Sequence, residues 1–129
     1  MSDYLNISDF LSSVNIHEIS QEDYKEGQVG RSISIYSIDK DGNPEEFPDL
    51  DDVQIVLIGC GERRGSGLIH GHSKAPDLIR RQFYSLYYWH TDVKIADAGN
   101  IREGSLFTDS YAALKTVIRE LIEDRKTVI

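Results

Sequence analysis

The densest run of potentially reactive side chains lies in a glycine-rich stretch from Ile58 to Tyr84, IGCGERRGSGLIHGHSKAPDLIRRQFY. Cys60, Glu62, Arg63, Arg64, His70 and His72 all fall in it, between an apolar run and the start of a helical pattern. A glycine-rich turn at that place can cradle a phosphate on backbone amides and a helix N-terminus. The dinucleotide register requires glycines at the first, third and sixth positions, which here are Gly59, Gly61 and Arg64, so the third is lost. No Lys-Ser/Thr ending supports a P-loop either. His70 and His72, two residues apart, could share an ion on extended backbone, but a catalytic zinc site takes about three protein ligands and no third is evident. The reading favoured by ligand count is a pair of loop histidines.

Glu62, Arg63 and Arg64 leave two readings open. They could orient a carboxylate or a guanidinium-like group at the carboxyl end of a strand, where open α/β sheets hold their ligands. They could equally form a local ion pair on a solvated loop. Cys60 has no neighbouring histidine in sequence and reads as an inert thiol. Arg80 is expected to pair with an acid or with backbone carbonyls. Tyr84, Tyr87, Tyr88 and Trp89 form an aromatic cluster expected in a core or a subunit contact.

The elements that must position these groups follow from periodicity. VQIVLIG, from Val53, is a continuous apolar run of the fully buried strand type. KAPDLIRRQFYSLYYW predicts a helix with Leu78, Ile79, Gln82, Phe83, Leu86 and Tyr87 on one face, started by Pro76 with Ser73 or Ala75 before it. VKIADAGNI predicts a second strand. A second helix is expected from about Asp109, capped by Thr108 or Asp109, with Tyr111, Leu114, Ile118, Leu121 and Ile122 as its apolar stripe. The closing KTVI reads as the opening of a third strand. Strand, helix, strand, helix, strand is the alternation of a parallel sheet with right-handed crossovers, so the expected class is α/β.

Residues 1–50 read as an acid-rich N-terminal extension, with a short helix on Ile7, Phe10, Leu11 and Val14 and an edge strand over Ser32 to Ile38. DKDGNPEEFPDLDD then forms a linker or surface loop before the main unit, 51–129. The whole is 129 residues, which fits one core. A net charge of −8 repels polyanions and argues against nucleic acid or an anionic membrane as partner. No apolar run approaches the ~20 residues of a membrane helix. The N-terminus lacks a signal-peptide pattern, and the single cysteine excludes an internal disulfide framework, so a cytoplasmic location is expected.

VLIGCGERRGSG, APDLIRRQFYSLYY, VKIADAGNIREG and DSYAALKTVIREL, in that order, resemble the opening of the arginase, agmatinase and formimidoylglutamase group of ureohydrolases. In that group a first strand ends in a G-x-P-x-[DE]-x-G-like turn, a helix opens with G-P-x-x-I-R or A-P-D-x-I-R, and the second strand ends in D-x-G. Gly59 to Gly65, Ala75 to Arg80 and Asp97 to Gly99 occupy those places, with Gly61 in place of the usual proline and Ala98 inside the last motif. The E-R-R-G turn and the tyrosine-rich helix end resemble the formimidoylglutamase branch most. The resemblance covers about residues 53 to 129.

It implies a three-layer αβα fold with a parallel sheet, of which only the N-terminal part is present, truncated at the third strand. It also implies a parent enzyme, expected to be a homo-oligomer, in which two manganese ions activate water against an amidine or guanidine substrate. N-formimidoyl-glutamate is the expected substrate, giving glutamate and formamide; arginine and agmatine are the others. The family's metal-binding motifs, G-G-x-H-D, D-x-H-x-D and D-x-D, do not occur in this sequence. On this reading the 129 residues bind no metal and are inactive alone, and Glu62, Arg63, Arg64, His70 and His72 line the rim of the substrate cleft. The alternative is a stand-alone Rossmann-like nucleotide-binding or protein-interaction module without catalysis.

Overall fold

The apolar runs near residues 55 and 95 become the two central strands of one sheet. The computed structural model describes residues 7–20, 23–64 and 73–129. Its elements in chain order are β1 (Leu11–Ser12), α1 (Ile16–Ile19), α2 (Val29–Ser32), β2 (Ser34–Ile35), β3 (Ile55–Gly59), α3 (Ala75–Tyr84), β4 (Ile95–Ile101), α4 (Phe107–Glu123) and β5 (Thr127–Val128). The fold is mixed α/β. Among the described residues no helix is long and apolar enough to cross a membrane.

β4 is the hub of the sheet, whose order is β1-β4-β3-β5 with β2 also paired to β4. β3 runs parallel to β4 with Ile55 opposite Ile95, and β5 runs parallel to β3 on its other side. The outer edge of β4 is shared: β2 pairs in parallel with Ala96 and Asp97, and β1 pairs antiparallel with Asn100 and Ile101. Among the described residues the only antiparallel pairing between strands is therefore β1 with β4, and the other strand pairs are parallel, as the alternation predicts for β3, β4 and β5.

Alternation along β3 and β4 sends successive side chains to opposite faces. Val56, Ala96, Ala98 and Ile101 enter one cluster with Val117 and Leu121 of α4 and with Ile7, Leu11, Tyr36 and Leu50 from the first fifty residues. Leu57 and Ile95 enter the other, with Tyr84 of α3 and Val14, Ile19 and Val29. Both faces of the sheet are thus covered, which is why the strand runs are apolar throughout rather than alternating with polar residues.

Two expectations are corrected here. The helical spacing of Ile7, Phe10, Leu11 and Val14 does not produce a helix through residue 14. From Leu11 the chain is strand β1, because pairing with Asn100 and Ile101 satisfies its backbone, while Leu11 and Val14 still reach the core. The edge strand expected over Ser32 to Ile38 contracts to Ser34–Ile35, with an isolated parallel bridge from Ser37 to Val14 beyond it.

A third correction concerns α3. It ends at Tyr84, and its inward face carries Arg80 and Tyr84, whereas Leu78 and Ile79 are 56% and 67% exposed. The helix is turned by roughly one residue's step of 100° from the apolar stripe. The physical reason stands beneath it: Asp97 of β4 is fully buried on that face, and a buried carboxylate requires a cation more than the sheet requires another leucine. Leu86, Tyr87 and Trp89 are exposed beyond the helix end, and of the expected aromatic cluster only Tyr84 is fully buried.

α4 buries Ser110, Val117 and Leu121, so the predicted stripe holds at Leu121 but not at Tyr111 or Ile122, which are exposed. The helix starts follow the sequence in part: the N-cap of α3 is Lys74, between the expected Ser73 and Ala75, and α4 begins at Phe107 behind Leu106, so Thr108 and Asp109 lie inside its first turn. Ser73 Oγ accepts from the Ala75 amide at 3.1 Å with Pro76 in the first turn, and the Asp109 carboxylate accepts from the Leu106 amide at 3.2 Å.

Candidate functional site

Two polar assemblies and a cleft occupy the carboxyl ends of β3 and β4. The first begins with Asp97, the one acid in the IADAGNI strand. Its position in the period-two alternation turns it toward α3 with no exposure. Arg80 meets it with two parallel bonds, Nε to Oδ2 at 2.7 Å and Nη2 to Oδ1 at 3.0 Å, the fork geometry in which a guanidinium fits a carboxylate. Tyr84, one helical turn after Arg80, donates its hydroxyl to Oδ2 at 2.5 Å, and the Gly99 amide donates to Oδ1 at 3.0 Å.

The remaining Arg80 donors are also occupied. Nη1 reaches Asn100 Oδ1 at 2.7 Å and Asp77 Oδ1 at 3.3 Å, and Nη2 reaches the Gly99 carbonyl at 2.9 Å. Burial alone would lower the Arg80 pKa, but hydrogen bonding and charge from Asp97 outweigh it and the group is raised. Burial, reinforced by the Asp97 charge, pushes the Tyr84 phenol up, so it remains a donor.

Two glycines make room for this assembly. Gly99 has φ +89°, and a Cβ there would lie 2.1 Å from the Ser12 carbonyl oxygen of β1. A Cβ on Gly59 would lie 1.9 Å from Asn100 Oδ1 and within 3.0 Å of the Arg80 guanidinium. Any side chain at the end of β3 would therefore displace the network.

The second assembly joins the loop after β3 to the loop after β4. Glu62 accepts from Arg64 at Nε (3.0 Å), at Nη2 (2.5 Å) and at its backbone amide (2.8 Å). The same guanidinium crosses to the Gly104 carbonyl at 2.7 Å and the Ser105 carbonyl at 3.0 Å, with Ser110 Oγ at 3.4 Å. Glu103 adds a charge 3.5 Å from Nε. Hydrogen bonding from Arg64, against a smaller opposing effect of burial, holds the Glu62 carboxyl down at about 2.

Beside these assemblies lies a cleft of about 640 Å³ whose walls include Ser12, Ser73, Lys74, Asn100, Arg102 and Glu103. It carries both signs of charge. Lys74 and Arg102 can receive carboxylates, and Glu18, Asp77 and Glu103 can receive an amidinium, so the walls suit a small molecule bearing both. A separate groove of about 250 Å³ beside Cys60, Ile79, Phe83 and Ile129 is mainly apolar.

Of the residues singled out in the sequence, Glu62 and Arg64 come together, and they meet each other. Arg63 lies between them, partly buried. His70 and His72 lie outside the described residues. Among the described residues no three of His, Cys, Asp and Glu converge to hold a metal ion, so the two manganese ions implied by the resemblance find no cage in them. The sequence led us to expect Arg80 to pair with an acid or with backbone carbonyls, and it does both, with Asp97 and the Gly99 carbonyl, but Asp97 was not named as that acid and Asn100 and Ser110 were missed. Asp97 was visible as the lone charge at a buried position of an apolar strand. Nothing local marks Ser110, which accepts from the nearby Gly104 amide but also faces Arg64, forty-six residues before it.

Protein-family models, curated proteins and solved structures were each compared with this chain, and none of the three gave a match.

Proposed function

We propose that this chain is the amino-terminal part of a manganese-dependent C–N hydrolase of linear amidines, of the ureohydrolase type with its three-layer αβα fold, and that N-formimidoyl-glutamate is its substrate. The observation that carries the reading is the convergence of the three stretches on which the resemblance rests. Arg80, from A-P-D-L-I-R, bonds Asp97 and Gly99 of D-A-G, and Gly59, at the head of the turn, backs onto Asn100 and Arg80. Separate in sequence, they form one packed unit at the end of the sheet where α/β folds hold ligands. The mixed charge of the neighbouring cleft suits an amidine joined to an amino acid.

The role of these residues is to shape and hold one wall of the cleft. Lys74 and Arg102 offer carboxylate contacts, and Asn100, fixed through its oxygen by Arg80, presents its amide group from a set position. The described residues form no metal cage, so no bond-breaking step is assigned to them.

The test is to assay the protein in its full reading frame with manganese. Release of formamide from N-formimidoyl-glutamate is expected. No formamide from that substrate, and no urea from arginine or agmatine, overturns the reading.

A further inference from the structure

We infer, on the reading that the cleft beside β4 holds the ligand, that Asn100 sets its specificity: the side chain offers hydrogen-bond donors alone and so selects a ligand that brings a carboxylate. Asn100 is the last residue but one of β4, paired with Ser12 of β1 on one side and with Gly59 of β3 on the other, so its backbone is fixed from both edges. Arg80 Nη1 then reaches the side-chain oxygen at 2.7 Å. A guanidinium has no acceptor, which settles that the oxygen of the amide faces Arg80 and the nitrogen faces away.

Arg80 cannot turn to follow a ligand, because its Nε and Nη2 are held in the fork on Asp97. The oxygen is also packed against the end of β3, where a Cβ on Gly59 would lie 1.9 Å from it. The nitrogen, by contrast, has no acceptor among the described residues. It is open to solvent, since the Tyr24 hydroxyl is the one buried side-chain polar atom among them that lacks a partner.

The neighbouring charges point the same way. Lys74 and the terminal nitrogens of Arg102 meet no carboxylate among the described residues, and Arg102 is steadied by its Nε bond to the Leu11 carbonyl at 3.0 Å. Two of the acids on the same walls are already engaged, Asp77 at 3.3 Å from Arg80 and Glu103 at 3.5 Å from Arg64. The capacity left open is therefore for an anion. A ligand without an acceptor would bury the Asn100 nitrogen unpaired, which weakens its binding. Of the three substrates that the resemblance implies, N-formimidoyl-glutamate and arginine bring a carboxylate and agmatine does not.

The side-chain amide signals of Asn100 are followed in the isotopically labelled 129-residue chain during titration with glutarate, a plain dicarboxylate, and with agmatine, for the wild type and Asn100→Asp. The variant keeps an acceptor for Arg80 and turns an acceptor instead of a donor toward the cleft. Expected are a saturable shift of the Asn100 side-chain signals with glutarate and none with agmatine. Glutarate binding, read at the Lys74 and Arg102 backbone amides, should be at least about tenfold weaker in Asn100→Asp, with β3 and β4 unchanged. No saturable shift at millimolar glutarate, shifts at Lys74 and Arg102 that leave the Asn100 side chain unmoved, a response of that side chain to agmatine, or equal affinity in the variant overturns the inference. If Asn100→Asp disturbs the strands, the wild-type signals decide alone. Glutarate has no amidine, so binding of this kind without any release of formamide defeats the function proposed above and leaves the role of Asn100 standing; the reverse result defeats only the role of Asn100.

Discussion

The two arginine–carboxylate pairs at the carboxyl end of the sheet use the same chemistry in opposite settings. Arg80 and Asp97 lie between a helix and the sheet, with side chains 5% and 0% exposed. Arg64 keeps 24% of its side chain in reach of solvent and ties one loop to another. The first pair is built from elements that cannot separate without unfolding, so it holds the frame. The second joins Arg64, beyond the end of β3, to Gly104, Ser105 and Ser110, beyond the end of β4, so it fixes how the two strand ends are tied together. Placement, rather than the pair itself, decides which is sealed inside the frame and which stays in reach of solvent.

Breaking the buried pair gives the largest expected effect. Arg80→Met leaves Asp97 charged beneath α3 with its main partner gone, and a loss of about 3–5 kcal/mol in urea unfolding is expected. A loss under about 1 kcal/mol would mean that Asp97 is not held as an ion. Gly99→Ala comes next, since it forces a side chain into a left-handed conformation and against the Ser12 carbonyl. It should cost about 2–3 kcal/mol by the same measurement. Tyr84→Phe removes one bond to Asp97 and leaves the guanidinium in place, and about 2 kcal/mol is expected.

The loop pair responds to pH instead. Glu62 is held at about 2, below its ordinary value of 4.5. A carboxyl lowered by folding stabilises the fold fully above the unfolded value, and that contribution is lost as the pH falls from about 4.5 through 2. The stability difference between wild type and Glu62→Gln should therefore be constant near neutrality and shrink across that acid range. A difference that stays constant down to pH 2 would show that Glu62 is not held as an ion by Arg64.

Much of the frame was legible because it rests on local rules. The apolar runs at β3 and β4, Ser73 and Pro76 at the start of α3, and the strand–helix alternation each follow from nearby residues. The rotation of α3 was not, because the stripe of Leu78 and Ile79 is a local signal and the pull of Asp97 on Arg80 comes from a strand seventeen residues away. Leu11 was misread for the same reason: its strand state depends on Ile101. In the candidate site a local ion pair of Glu62 with its neighbouring arginines was one of the two readings the sequence left open, but the reach of Arg64 to Gly104, Ser105 and Ser110 appears only once the two loops are brought together.

The claim that matters most is that the cleft beside these pairs receives an amidine. Titrating the isotopically labelled chain with N-formimidoyl-glutamate, and separately with ATP and NAD, while following backbone amide shifts tests it directly. The account predicts that the amidine moves the amides of Gly61, Lys74, Asn100, Arg102 and Glu103 and that the nucleotides leave them in place. Shifts at those residues with a nucleotide and none with the amidine would contradict it and favour a nucleotide-binding module instead.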